Sequence, residues 1–232
     1  MNWILILVVA IIFSFNSTAS AEERIPTISV SGEGVVEVAP DRATISLGVV
    51  NRDKDAAKVQ ADNSRIANNI IKAVTSLGID KKNIRTGNYS FHQFYRQDNN
   101  RRIADGYEAN NTVTVIVDDL NLVGKIIDAA LANGANNVDS LEFGVRNKNN
   151  LQNDAIRLAV RDARAKAEVV AAELGKKIVG VLSVSVNSGY ISAPRANKMM
   201  MEEMATADSA TPIEAGMLNC SASVHVEFEI SR

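Results

Sequence analysis

Between Cys220 and Ile230 every second residue is apolar. Cys220, Ala222, Val224, Val226, Phe228 and Ile230 alternate with Ser221, Ser223, His225, Glu227 and Glu229. A period of two puts the two sets on opposite sides of an extended chain, so this segment predicts a strand with one dry and one wet face. Such a strand needs antiparallel neighbours and a cover over its apolar side. The rest of the chain must supply both.

Strand neighbours are available at the start. Ile28, Val30, Gly32, Gly34, Val36 and Val38 share one face of a strand, and Ala43, Ile45, Leu47 and Val49 share one face of the next. Pro40-Asp41 between them has turn chemistry, which predicts a hairpin with one wet face. Two further strands are expected over 84–95 and 103–117, joined at Gln97-Asp98-Asn99-Asn100, then one over 138–145 and one over 178–186.

Helical spacing supplies the cover. Asp53 or Asp55 caps a helix carrying Val59, Ile66, Ile70, Val74 and Leu77 and ending at Gly78. A shorter helix carries Leu122, Val123, Ile126, Ile127, Ala130 and Leu131 before Gly134. The longest runs from about Leu151 to Leu174, with Ala155, Ala159, Ala163, Ala167 and Ala171 at four-residue intervals. That row is a smooth ridge on which the helix lies close to a sheet or another helix. The order is ββαββ-αβ-αββ, an α+β fold with a largely antiparallel sheet and helices on one face. Residues 22–232 are expected to form one domain, with 187–217 a long Met-rich loop. Residues 1–21 hold no charge, an apolar run from Ile4 to Phe15 and Ala19-Ser20-Ala21, the features of a cleaved export signal.

Composition limits the chemistry. Lys and Arg number 25 against 27 Asp and Glu, a net charge of −2 that argues against nucleic acid as a partner. The single cysteine, Cys220, excludes an internal disulfide and falls on the apolar face, where a buried inert thiol is expected. His225 falls on the opposite face, so the two form no dyad. His92 has no metal-ligand spacing around it, and no catalytic, metal or cofactor motif is found. Gly32-Glu33-Gly34 continues into strand rather than helix, so the glycines serve a bulge or a close backbone approach rather than a phosphate.

Two stretches stand out. Tyr89, Phe91, Phe94, Tyr95 and Tyr107 are five of the eight aromatics beyond residue 21. Tyr89, Phe91 and Tyr95 share a strand face and Phe94 takes the other. Core packing and the docking of another subunit are both open to them. The second stretch holds Met199, Met200, Met201 and Met204, which suit soft copper(I), sacrificial oxidation or an adaptable apolar contact.

Ile28 to Gly34, Ala39 to Ile45, the helix end Ala172-Glu173-Leu174-Gly175, the Met-rich loop, Thr211 to Gly216 and Ser221 to Val226 together resemble the SIMPL-domain family. Glu214-Ala215-Gly216-Met217 departs from the Glu-Pro-Gly and acidic residue more usual there. The resemblance implies an exported bacterial protein, either periplasmic or associated with the outer membrane. It brings relatives that are immunogenic antigens assembling into rings or channels, relatives described as oxidative-stress defence proteins, and a eukaryotic kinase-binding adaptor. It carries over no catalytic residue. The expected function is a non-enzymatic envelope protein without cofactor that forms homo-oligomers and protects against oxidative or envelope stress. A ligand- or copper-binding module using the four methionines, and a hydrolase, are the alternatives.

Overall fold

The computed structural model describes residues 25–192 and 213–232. The export segment and Met199, Met200, Met201 and Met204 lie outside the described residues. In chain order the elements are β1 (Thr27–Val38), β2 (Arg42–Asp53), α1 (Ala56–Ser76), β3 (Ile84–Asp98), β4 (Arg101–Val117), α2 (Val123–Ala132), β5 (Asn137–Gly144), α3 (Lys148–Glu173), β6 (Ile178–Ser192) and β7 (Leu218–Ile230). The α+β class and the order of elements are as the sequence predicts. The boundaries of β3, β4 and β6 are not: each strand runs further than its alternation suggests, β6 as far as Ser192.

The strands divide into two antiparallel sheets, β1-β7-β6 and β3-β4-β2-β5. This corrects the expected single sheet and the expected β1–β2 hairpin, whose two strands enter different sheets. Alternation records which side of a strand is dry but not which strand lies beside it. The partners are set by cover. The apolar row of β2 lies at the centre of its sheet beneath α1 and α2, where Ile45, Leu47, Val49, Ile70, Val74, Val113, Val115 and Ile126 form a closed core. The apolar row of β1 lies beneath α3 instead. Pro40-Asp41 therefore begins a crossing between sheets. Asp41 N donates to Gly144 O at 3.1 Å, and Asp41 Oδ1 accepts from Arg146 N at 2.7 Å. The two connectors between the halves are thus tied side by side.

The alanine ridge of α3 meets a sheet, and the reason is the two glycines of β1. A Cβ built on Gly32 would lie 2.1 Å from Ala159 O, and one on Gly34 would lie 2.1 Å from Ala155 O. No side chain fits between strand and helix at these points, so Gly-x-Gly marks a close backbone approach. The flank of α3 also closes the outer edge of β1. Asp162 Oδ2 accepts from Glu33 N at 2.8 Å, and Lys166 Nζ donates to Ser31 O at 3.1 Å. An edge strand's unpaired peptide groups are here met by helix side chains.

Of the two candidate caps for α1, Asp55 does the work: its Oδ1 accepts from Ala57 N at 2.8 Å and Lys58 N at 3.3 Å. Asp53 instead pairs with Lys58, and this holds its carboxyl below the usual carboxylate range.

Candidate functional site

The β3–β4 hairpin outgrows its sheet. The last pair between β2 and β4 is Asp53–Tyr107, whereas β3 and β4 go on pairing to Asp98–Arg101. Residues 94–98 and 101–106 therefore form a ribbon of two strands with no third beside it. Its tip is a two-residue turn in which Asn99 and Asn100 have φ of 42° and 66°. Both values are left-handed, the geometry whose twist suits a tight hairpin and which Asn tolerates. At the base of the ribbon Gly106 has φ +119°, and a Cβ there would lie 2.4 Å from Asp53 O. Glycine lets the ribbon leave the sheet at that point.

The five aromatics are divided by this geometry. Helix α1 lies over β2 and β4, leaving the outer strand β3 uncovered. Tyr89, Phe91 and Tyr95 are each more than two-fifths exposed. Tyr107 is half-buried and stacks on Phe91, with ring centroids 5.7 Å apart and planes 10° from parallel. The Arg102 guanidinium sits 4.8 Å from the Tyr95 ring, and Tyr95 OH donates to Gln93 Oε1 at 2.7 Å. Phe94 takes the reverse face, half-buried beneath the Arg52 guanidinium at 4.1 Å. Arg52 Nε in turn donates to Glu108 Oε2 at 2.5 Å, and His92 Nε2 lies 3.5 Å from Glu108 Oε1. One face thus offers aromatic rings to solvent while the other is closed by charge. Sequence reading misses Arg52 and Glu108, because their meeting with Phe94 and His92 depends on a register between three strands that no local pattern displays.

The remaining candidates separate. Cys220 is fully buried on the face beneath α3, and burial pushes its thiol above the ordinary value. His225 lies on the exposed face of the same strand, with Ser29 Oγ 2.9 Å from Nε2 and Ser31 Oγ 3.2 Å from Nδ1. Both hydroxyls come from β1 through the Ser31–His225 register, which joins residues almost two hundred positions apart. Cys220 and His225 are on opposite faces, as their alternation predicts. Among the described residues no three His, Cys, Asp or Glu side chains converge to hold a metal ion. No described helix is long and apolar enough to cross a membrane.

The family model for SIMPL, described as a protein of unknown function (DUF541), matches residues 28–228. The chain belongs to the SIMPL family. It is 29% identical to the 26 kDa periplasmic immunogenic protein of Brucella melitensis, across 96% of this chain and 94% of that one. It is 30% identical to YggE of Escherichia coli K12, across 88% of this chain and 83% of that one. The YggE of Edwardsiella ictaluri is 28% identical across 75% and 77%. In this SIMPL chain three of the segments that carry the resemblance are parts of the contact between α3 and its sheet, whereas Ala39 to Ile45 runs into β2 of the other sheet. Ile28 to Gly34 is the strand seated on α3, Ala172 to Gly175 closes that helix, and Ser221 to Val226 is the strand paired with β1. Where the sequence departs from the SIMPL pattern, Gly216 beside Ala215 has φ +61°, a left-handed conformation that glycine permits.

Proposed function

We propose that this chain is a non-enzymatic protein of the bacterial periplasm that works as a homo-oligomer, with the β3–β4 hairpin as its docking arm. The observation that carries the reading is the overhanging ribbon. A two-stranded ribbon is marginal alone in water, and the exposed rings of Tyr95 on it and of Tyr89 and Phe91 on the same strand below it gain by burial in an interface. The name of the Brucella relative supports a periplasmic place, and residues 1–21 supply the matching export signal, cleaved after Ala21.

Sedimentation velocity at micromolar concentration tests the assembly. The native protein sediments as an oligomer under this reading. Replacing Tyr89, Phe91 and Tyr95 together by Ser weakens self-association at least about 30-fold, because aromatic anchors dominate such interfaces. A native protein that stays monomeric overturns the reading.

The role of the oligomer in this proposal is protection of the envelope under oxidative stress, with association at the outer membrane. Its support is the family resemblance together with the methionine cluster Met199–Met204, a set of oxidisable thioethers. A strain lacking the gene is then more sensitive to peroxide than its parent, and complementation restores resistance. Equal survival of the two strains removes the protective role while leaving the assembly standing.

A further inference from the structure

The two sheets have four outer strands, β1, β6, β3 and β5. Three of them are guarded. Asp162 and Lys166 of α3 meet the outer edge of β1. Strand β3 carries Arg85, His92, Arg96 and Asp98, and β5 is eight residues long with Asp139 and Glu142. Charge and shortness are the usual defences of an edge. Strand β6 has neither. Its fifteen residues, Ile178 to Ser192, contain no Asp, Glu, Lys or Arg. Among the described residues nothing pairs with its outer side.

The face of β6 is also left open. Helix α3 lies mainly on β1 and β7. Val184 and Val186 are opposite Val226 and Val224, which are buried under that helix, yet both remain about half exposed. The register of β6 on β7 is regular from Ser183 to Ser188 and broken by bulges on either side. Within that regular stretch the residues read Ser183, Val184, Ser185, Val186, Asn187. The series is nearly symmetric about Ser185.

From these features we infer that β6 is a self-pairing edge, joining antiparallel to β6 of a second copy about a two-fold axis at Ser185. The inference rests on the assembly reading above and supplies it with a second, independent interface. In that register Val184 faces Val186 of the mate, and Ser183 faces Asn187 of the mate. Valines then meet valines on the helix side and small polar groups meet on the other. No like charges come together, so the pairing has no electrostatic penalty. The product is one six-stranded sheet, β1-β7-β6 continued by its mate, with both α3 helices on the same side and the valines between them. Strand addition satisfies the outward peptide groups of β6 that no described strand pairs with.

The test uses the purified chain carrying the three Ser replacements at Tyr89, Phe91 and Tyr95, so that the hairpin is silent. Sedimentation velocity is expected to find a dimer. Adding Val184→Lys makes it monomeric, and so does adding Val186→Glu instead. A one-to-one mixture of those two chains restores the dimer at least tenfold over either alone, because the introduced lysine of one faces the introduced glutamate of the other. Unchanged circular dichroism shows that each variant is folded, as half-exposed positions allow. Slow amide exchange at residues 183–187 in the dimer provides a second readout. If the hairpin variant is a monomer while the native chain is oligomeric, self-pairing is overturned and the hairpin interface stands. A dimer indifferent to Val184→Lys overturns it too. A monomeric native chain removes the assembly reading as a whole.

Discussion

Gly32 and Gly34 are where single atoms decide the packing. The carbonyls of Ala155 and Ala159 occupy the space a side chain would need, and these are helix backbone atoms that cannot swing aside. Gly32→Ala is therefore expected to cost at least about 2 kcal/mol, in the upper part of the usual range for overpacking. Gly144 is the matched control. A Cβ there meets nothing within 4 Å and its φ is not left-handed, so Gly144→Ala is neutral or stabilising by up to about 1 kcal/mol. Urea unfolding of the two variants measures both, and equal stabilities would refute the close contact. Much of this was legible in advance. The four-residue row of alanines requires a near neighbour, and Gly-x-Gly inside a strand requires a close approach. What could not be read was that the two belong together, since residues 32 and 159 are joined only by the fold. The aromatics were legible in the same partial way: their clustering is visible, whereas their division into an exposed set and Phe94 beneath Arg52 depends on strand register.

At the scale of elements, α3 does two things to β1: its alanines seat the strand's face and its flank closes the strand's edge. The edge closure depends on pH. Lys166 and the Glu33 amide hold the Asp162 carboxyl below its ordinary value. The folded state then binds fewer protons at this site than the unfolded chain, so the contribution is present at neutral pH and lost as pH falls below the ordinary carboxylate range of about 4. Asp162→Asn is expected to be less stable than the native chain at pH 7. The gap should close as both are titrated into acid, followed by thermal melts at a series of pH values. A gap that stays constant across the titration would show that charge plays no part in the clamp. Elements with their own period, such as α1 and α3, could be placed from sequence to within a few residues. The pairing of β1 and β2 with different sheets could not, because both strands present the same alternation and only the helices above them distinguish the two destinations.

At the scale of the whole molecule, the four-stranded sheet and its two helices occupy one unbroken stretch of chain, from Arg42 to Gly144. The three-stranded sheet draws on both ends, with Thr27 paired to Glu229 and Val38 to Leu218. This has a consequence in time as well as in space. The inner stretch closes over shorter separations, its widest pair being Arg42–Gly144, and has every strand it needs once residue 144 is available. The outer sheet must bring together segments about two hundred residues apart, and long-range pairing of this kind is slow. Refolding followed by pulsed amide exchange should therefore protect β2 and β4 before β1 and β7, and simultaneous protection would contradict that order. Until β7 arrives, β1 has no strand partner and the alanine face of α3 has only part of its cover. Strand β1 and the face of α3 are therefore the surfaces that a protease would reach for longest while the chain refolds.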